Sequence, residues 1–141
     1  MTIDTLRKVL YEIAVSVICG VVIFAIGTAI YRSIHRLSIE RFKKEYVAGT
    51  PDEQELLAQT YLKFFSAHEL MDAVEDIYST GVCHVEGHPV GRALYRTNSN
   101  FSEAIRACGG SCTYGCFHGV LMEMFATDSD TLGGLIEDES P

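Results

Sequence analysis

From Ile13 to Ile30 the chain reads Ile-Ala-Val-Ser-Val-Ile-Cys-Gly-Val-Val-Ile-Phe-Ala-Ile-Gly-Thr-Ala-Ile, without a charge or a proline. An α-helix rises about 1.5 Å per residue, so roughly 20 apolar residues cross the hydrocarbon core of a bilayer. The run predicts one transmembrane helix over residues 10–31, behind a short flank at residues 1–9. A cleaved signal peptide would have a shorter apolar stretch, about 7–15 residues, ending in a small-residue cleavage site. Here the run continues to Tyr31 and meets Arg32, with no Ala-x-Ala exit.

Residues 32–50 interleave apolar Ile34, Leu37, Ile39, Phe42 and Tyr46 with basic positions. They predict a helical stalk with snorkelling Arg and Lys side chains. Gly49-Thr50-Pro51-Asp52-Glu53 ends one helix and starts another. Thr50 is the cap, Pro51 lies in the first turn and Glu53 closes a capping box. Leu56, Leu57, Tyr61, Phe64, Phe65, Met71, Val74, Ile77 and Tyr78 then recur at a helical period, predicting one helix from Pro51 to about Tyr78. Ser79-Thr80-Gly81 breaks it. A second helix is expected from Val82 to Tyr95, strained by Pro89 and Gly91, and a short third, capped by Asn100 or Ser102, ends at Cys108. Gly109-Gly110-Ser111 separates a fourth, from Cys112 to Ala126. Residues 127–141 form an acidic tail expected to be mobile. No stretch alternates as a strand does, so the domain at residues 51–126 reads as all-α with about four helices.

The charges divide along the chain. Seven of the eleven Lys and Arg precede Glu45, whereas sixteen of the nineteen acids lie from Glu45 onward. A domain so acidic lacks the basic face that nucleic acid requires. Arg32, Arg36, Arg41, Lys43 and Lys44 follow the apolar run, against Arg7 and Lys8 before it, and the positive-inside rule would put the domain in the cytoplasm. The cysteines oppose this. Cys19 lies in the apolar run and leaves Cys83, Cys108, Cys112 and Cys116 in the domain, an even number that suggests disulfides in an oxidising compartment. We therefore expect the domain on the outer face. Four cysteines allow three connectivities. Cys83 bonding to Cys112 or Cys116 is favoured over Cys112–Cys116, which would bridge consecutive turns of one helix.

Three of the five histidines stand next to or near these cysteines. His84 and His88, four apart, would share one helix face, and His118 could join them from a facing helix. Such a set can hold a transition metal (Zn, Cu or Fe), with Glu86, Glu123 or water completing the shell. Val85 stands where a His-Glu-x-x-His protease motif needs Glu, and no Cys-x-x-Cys-His haem signature occurs. The competing expectation is two disulfide staples with the histidines as packing residues. Gly115 and Gly119, four apart, suggest close helix packing; Arg92 and Arg96 suggest surface pairing with the acidic first helix. His68 is expected at the core or its rim.

No catalytic residue is assigned. Cys83 with His84 and Cys116 with His118 are too close in sequence to face each other on a helix. A thiol oxidoreductase through Cys108 and Cys112 is a further class.

The string Cys83-His84-x-x-x-His88-x-x-Gly91-Arg92-Ala93-x-Tyr95, then Ala104-x-x-x-Cys108, then Cys112-x-x-Gly115-Cys116-x-His118-Gly119, resembles segments of uncharacterised Cys/His-rich exported or membrane-anchored prokaryotic proteins. The resemblance implies an exported helical module and no activity. Ser16, Gly20 and Gly27 form a small-residue stripe suited to contact with other membrane subunits. We thus expect a single-pass, membrane-anchored accessory or structural subunit of a larger membrane complex, not an enzyme, with a disulfide-braced helical domain. The alternative is a membrane-tethered metal- or redox-cofactor-binding protein using His84, His88 and His118.

Overall fold

The computed structural model describes the backbone of residues 3–79 and 81–137, and the side chains of residues 7, 8, 10–79 and 81–126. Six α-helices and one 3-10 turn make up its regular structure, with no strand among the described residues. They are α1 (Ile3–Ala48), α2 (Pro51–Tyr61), α3 (Ala67–Tyr78), the 3-10 turn (Val85–Gly87), α4 (His88–Asn98), α5 (Phe101–Cys108) and α6 (Ser111–Glu137). The chain divides into two units, residues 1–38 and residues 39–141.

In the first unit, α1 is long and apolar enough to cross a membrane, and none of its apolar window is buried by protein. Ile18, Val21, Ile23 and Phe24 are all exposed. In water such a surface would cost roughly 25 cal/mol per Å² of apolar area.

The second unit begins inside the expected stalk. Phe42 and Tyr46 are fully buried, and Phe42 packs on Tyr61 with ring centroids 5.1 Å apart. The Tyr46 hydroxyl donates to the Glu86 carbonyl, and Gln54 Nε2 donates to the Tyr46 carbonyl at 2.9 Å. Burial raises the Tyr46 phenol well above its ordinary pKa, so it remains a donor. Lys43 reaches both Glu40 and Asp76. Phe42 and Tyr46, with Ile39 packed against them, therefore belong to the domain core.

The single helix expected over residues 51–78 is two. Thr50 and Glu53 form the capping box read from the sequence, but Ser66 and Glu69 form a second one, and Leu62–Phe65 lies between the helices. Phe64 and Phe65 prolong the apolar period across that break and conceal it. With five helices after α1, the domain has one more than expected. Replacing Ser66 by Ala removes the acceptor for the Glu69 amide at 3.2 Å and should cost about 1 kcal/mol, read as a lower urea midpoint by far-UV circular dichroism.

Pro89 does not strain a helix interior; it sits in the first turn of α4, where its missing N–H has no intrahelical partner to lose. Asn100 caps α5 through its side chain. The backbone of α6 runs beyond Ala126, into the expected acidic tail, to Glu137. Residues 138–141 of the expected tail lie outside the described residues.

Candidate metal centre

α4 packs most extensively on α6, and glycine permits it. A Cβ on Gly91 would land on the backbone carbonyl of Cys116; one on Gly115 would meet the His84 carbonyl, and one on Gly119 the His88 carbonyl. Backbone thus lies against backbone, which brings His84 and His88 on one side of the contact against His118 on the other.

Two disulfides frame this contact. Cys83 pairs with Cys112 and Cys108 with Cys116, with Cα separations of 5.0 and 5.5 Å. All four cysteines are buried. Cys112 and Cys116 do not stack on one helix face as expected. Cys112, Thr113 and Tyr114 make a left-handed turn (φ 52°, 51° and 65°) ahead of the right-handed part of α6. Each non-glycine residue there costs about 1–2 kcal/mol, so the turn persists only because its surroundings over-determine it. Cys108 and Cys112, the proposed thiol pair, belong to different bridges. Cys19 is a free cysteine in α1.

The three histidines converge. One ring nitrogen from each of His84, His88 and His118 lies within 4.8 Å of the others. His84 and His88 are neighbours without sharing a helix: His84 precedes the 3-10 turn and His88 opens α4, with ring centroids 5.1 Å apart. His84 Nε2 lies 2.9 Å from His118 Nδ1. His84 Nδ1 lies 2.9 Å from the Thr113 carbonyl, which can only accept, so Nδ1 carries a proton, and in the neutral ring Nε2 is then the atom with the lone pair. Such an outer hydrogen bond fixes the tautomer of metal-binding histidines in general.

His88 is half-buried. Its Nε2 is shut off from solvent and has no hydrogen-bond partner among the described residues. Burial first, then His84, His118 and Arg92, hold its pKa below the ordinary imidazole value, which favours the neutral ring that a ligand must be. Nitrogens on one tetrahedral ion with metal–nitrogen bonds of 2.0–2.1 Å stand about 3.3 Å apart.

Glu123, one expected shell member, is committed elsewhere. Its carboxylate binds Arg96 through Nε and Nη2, at 2.5 and 3.1 Å. Arg96 also reaches Glu55, and Arg92 Nε lies 3.0 Å from Glu55 Oε2. The surface pairing expected for Arg92 and Arg96 is instead built on two buried acids, Glu55 (4% exposed) and Glu123 (8%), which lock α2, α4 and α6 together. Glu86 remains near: it lines, with His88, Arg92, Gln54 and Met122, a cavity of about 410 Å³. A second cavity of about 440 Å³ is lined by Ile105, Tyr114, Phe117 and His118. His68 is exposed, 3.5 Å from Asp72, and takes no part.

Chemically, the site offers three imidazoles and no thiolate, since the neighbouring sulfurs are all in bridges. It suits a borderline transition metal and leaves a coordination position for water or another donor. Sequence reasoning missed the Thr113 carbonyl, because a backbone acceptor has no residue-type signal. No protein-family model, curated protein or solved structure matches this chain.

Proposed function

We propose that this chain is a membrane-tethered metal-binding protein. α1 holds it in the bilayer, and the disulfide-braced domain presents His84, His88 and His118 to one transition-metal ion of the Zn, Cu or Fe group. The carrying observation is the convergence of three ring nitrogens within 4.8 Å of one another, together with a solvent-shielded His88 Nε2 that has no hydrogen-bond partner among the described residues. Paired domain cysteines support an oxidising compartment, hence the outer face, against the basic residues that follow the apolar run.

The test is metal titration of the full chain in detergent after chelator treatment. About one Zn²⁺ or Cu²⁺ per chain is expected, and His88→Ala should weaken binding by at least about 100-fold, since even outer-shell losses cost 10–100-fold. Saturating metal should also raise the thermal midpoint of the parent and not of His88→Ala; a thousandfold excess over Kd corresponds to about 4 kcal/mol. A parent that holds no metal, or a His84/His88/His118 triple-Ala variant that holds as much as the parent, would sink the proposal.

An accessory role in a larger complex has separate support: a side chain added at Gly20 or Gly27 in α1 would meet nothing within 4 Å, leaving room for another membrane helix. Chains retained after mild detergent extraction would test it. A parent that purifies alone and monomeric would count against it.

A further inference from the structure

The metal site and one of the two disulfides share a backbone. Cys83 is bonded through the chain to His84, and Cys112 to Thr113, whose carbonyl holds His84 Nδ1 at 2.9 Å. His84 is thus tied to the Cys83–Cys112 bridge at both ends: by its own peptide bond, and through its hydrogen-bond acceptor. Thr113 and Tyr114 are exposed and left-handed, in a turn that nothing in their own conformational preference maintains. The second bridge is placed differently. Cys108–Cys116 joins the end of α5 to the right-handed part of α6 and adjoins neither His84 nor Thr113 in the chain, while the Gly115 contact on the His84 carbonyl and the Gly119 contact on the His88 carbonyl do not depend on which bridge is closed.

We propose that the Cys83–Cys112 disulfide is a redox clasp on the histidine site: oxidised, it holds His84 in the ligand set; reduced by a dithiol, it releases His84 and the metal with it. The inference rests on the metal-binding reading above. One thiolate of the dithiol attacks a sulfur of the bridge and forms a mixed disulfide, and its second thiol displaces the remaining cysteine. Two electrons pass from the dithiol to the bridge. The dithiol closes to its own disulfide, its two protons end on Cys83 and Cys112, and the metal leaves in its original oxidation state. Without the bridge, the turn at Cys112, Thr113 and Tyr114 relaxes toward ordinary backbone, the Thr113 carbonyl swings away, and His84 loses the bond that orients Nε2. Because both sulfurs are buried, reduction requires that the exposed turn open first. A metal on His84 opposes that opening, so the coupling runs in both directions.

Two measurements test this on the full chain in detergent, with Zn²⁺ as the metal. In the first, Cys83→Ser/Cys112→Ser is compared with Cys108→Ser/Cys116→Ser by competition with a chromogenic chelator. The clasp variant should bind Zn²⁺ about 10–100-fold more weakly than the parent, the other variant within about 3-fold of it. Equal affinity in parent and clasp variant overturns the proposal, and so does equal loss in both variants. The second measurement needs no substitution and stands if the clasp variant does not fold. The parent is exposed to a water-soluble phosphine with and without Zn²⁺, and the alkylated cysteines are identified by mass spectrometry. Zn²⁺ should slow reduction of Cys83–Cys112 by about 10-fold or more and leave Cys108–Cys116 unchanged. The same rate with and without Zn²⁺ overturns the clasp. A parent that binds no Zn²⁺ at all refutes the metal-binding reading itself, an outcome distinct from a parent that binds Zn²⁺ equally with the bridge open or closed.

Discussion

Gly91→Ala is expected to destabilise the domain by about 3 kcal/mol and to take the metal site with it. The added methyl would meet the carbonyl carbon and oxygen of Cys116 and the amide nitrogen of Val120. These are backbone atoms inside α6, not the ends of flexible side chains, so they cannot turn aside. The helices must separate, and helix–helix packing loses its close approach along the whole contact. His88 lies one turn before Gly91 and its carbonyl faces Gly119, so separating α4 from α6 draws His88 away from His118. A urea titration followed by far-UV circular dichroism measures the first effect and Zn²⁺ titration the second. Gly110→Ala is the control. A Cβ there meets nothing within 4 Å, and the midpoint should stay within about 0.5 kcal/mol of the parent. If Gly91→Ala unfolds at the parent's midpoint and binds Zn²⁺ equally well, the backbone contact between α4 and α6 does not exist as described.

Glu55→Ala should cost about 2–3 kcal/mol. Glu55 is 4% exposed and is the shared anion for Arg92 and Arg96. Removing one partner of a buried ion pair leaves the other charge uncompensated, which costs about 3–5 kcal/mol where both are fully buried. Here the loss is smaller. The Arg96 side chain is 52% exposed and keeps Glu123, whose hydrogen bond holds its pKa above the ordinary value; Arg92 is the cation left without an anion. The sharper test is a double-mutant cycle. Glu55→Leu/Arg92→Met replaces the pair by apolar groups of similar length and should recover most of the loss, because the desolvation penalty goes with the charges. A denaturation midpoint for Glu55→Ala equal to the parent's would mean that the acid is solvated and the network is a surface feature.

Much of the helical pattern was legible in the residues. The apolar period, Thr50 with Glu53, and Asn100 as a cap all reappear in the structure, since each is a local interaction within a few residues. The misreadings have local causes too. Ser66-Ala-His-Glu69 carries the same capping signature as Thr50-Pro-Asp-Glu53, but Phe64 and Phe65 masked it by continuing the helical period. Pro89 looks like a defect in a helix from Val82 and is instead a good first-turn residue of a helix that starts at His88. His84 and His88 were expected together on one helix face. They are neighbours for another reason, a turn folded onto α6 through Gly115 and Gly119.

Three properties belong to local sequence alone: an uncharged apolar run long enough to cross a bilayer, a helical chain after it, and histidines and cysteines crowded between Cys83 and Gly119. Each follows from periodicity or composition over a few turns. The remainder depends on residues far apart in the chain. Which sulfurs bond, and that Glu55 rather than a surface acid receives two arginines, are settled by packing. So is the use of Phe42 and Tyr46 as core rather than stalk, and the reach of the Thr113 carbonyl to His84. The physical reason is common to all four. Burial, bridge geometry and backbone acceptors are properties of positions in space, and a residue's type says what it can offer but not what stands opposite.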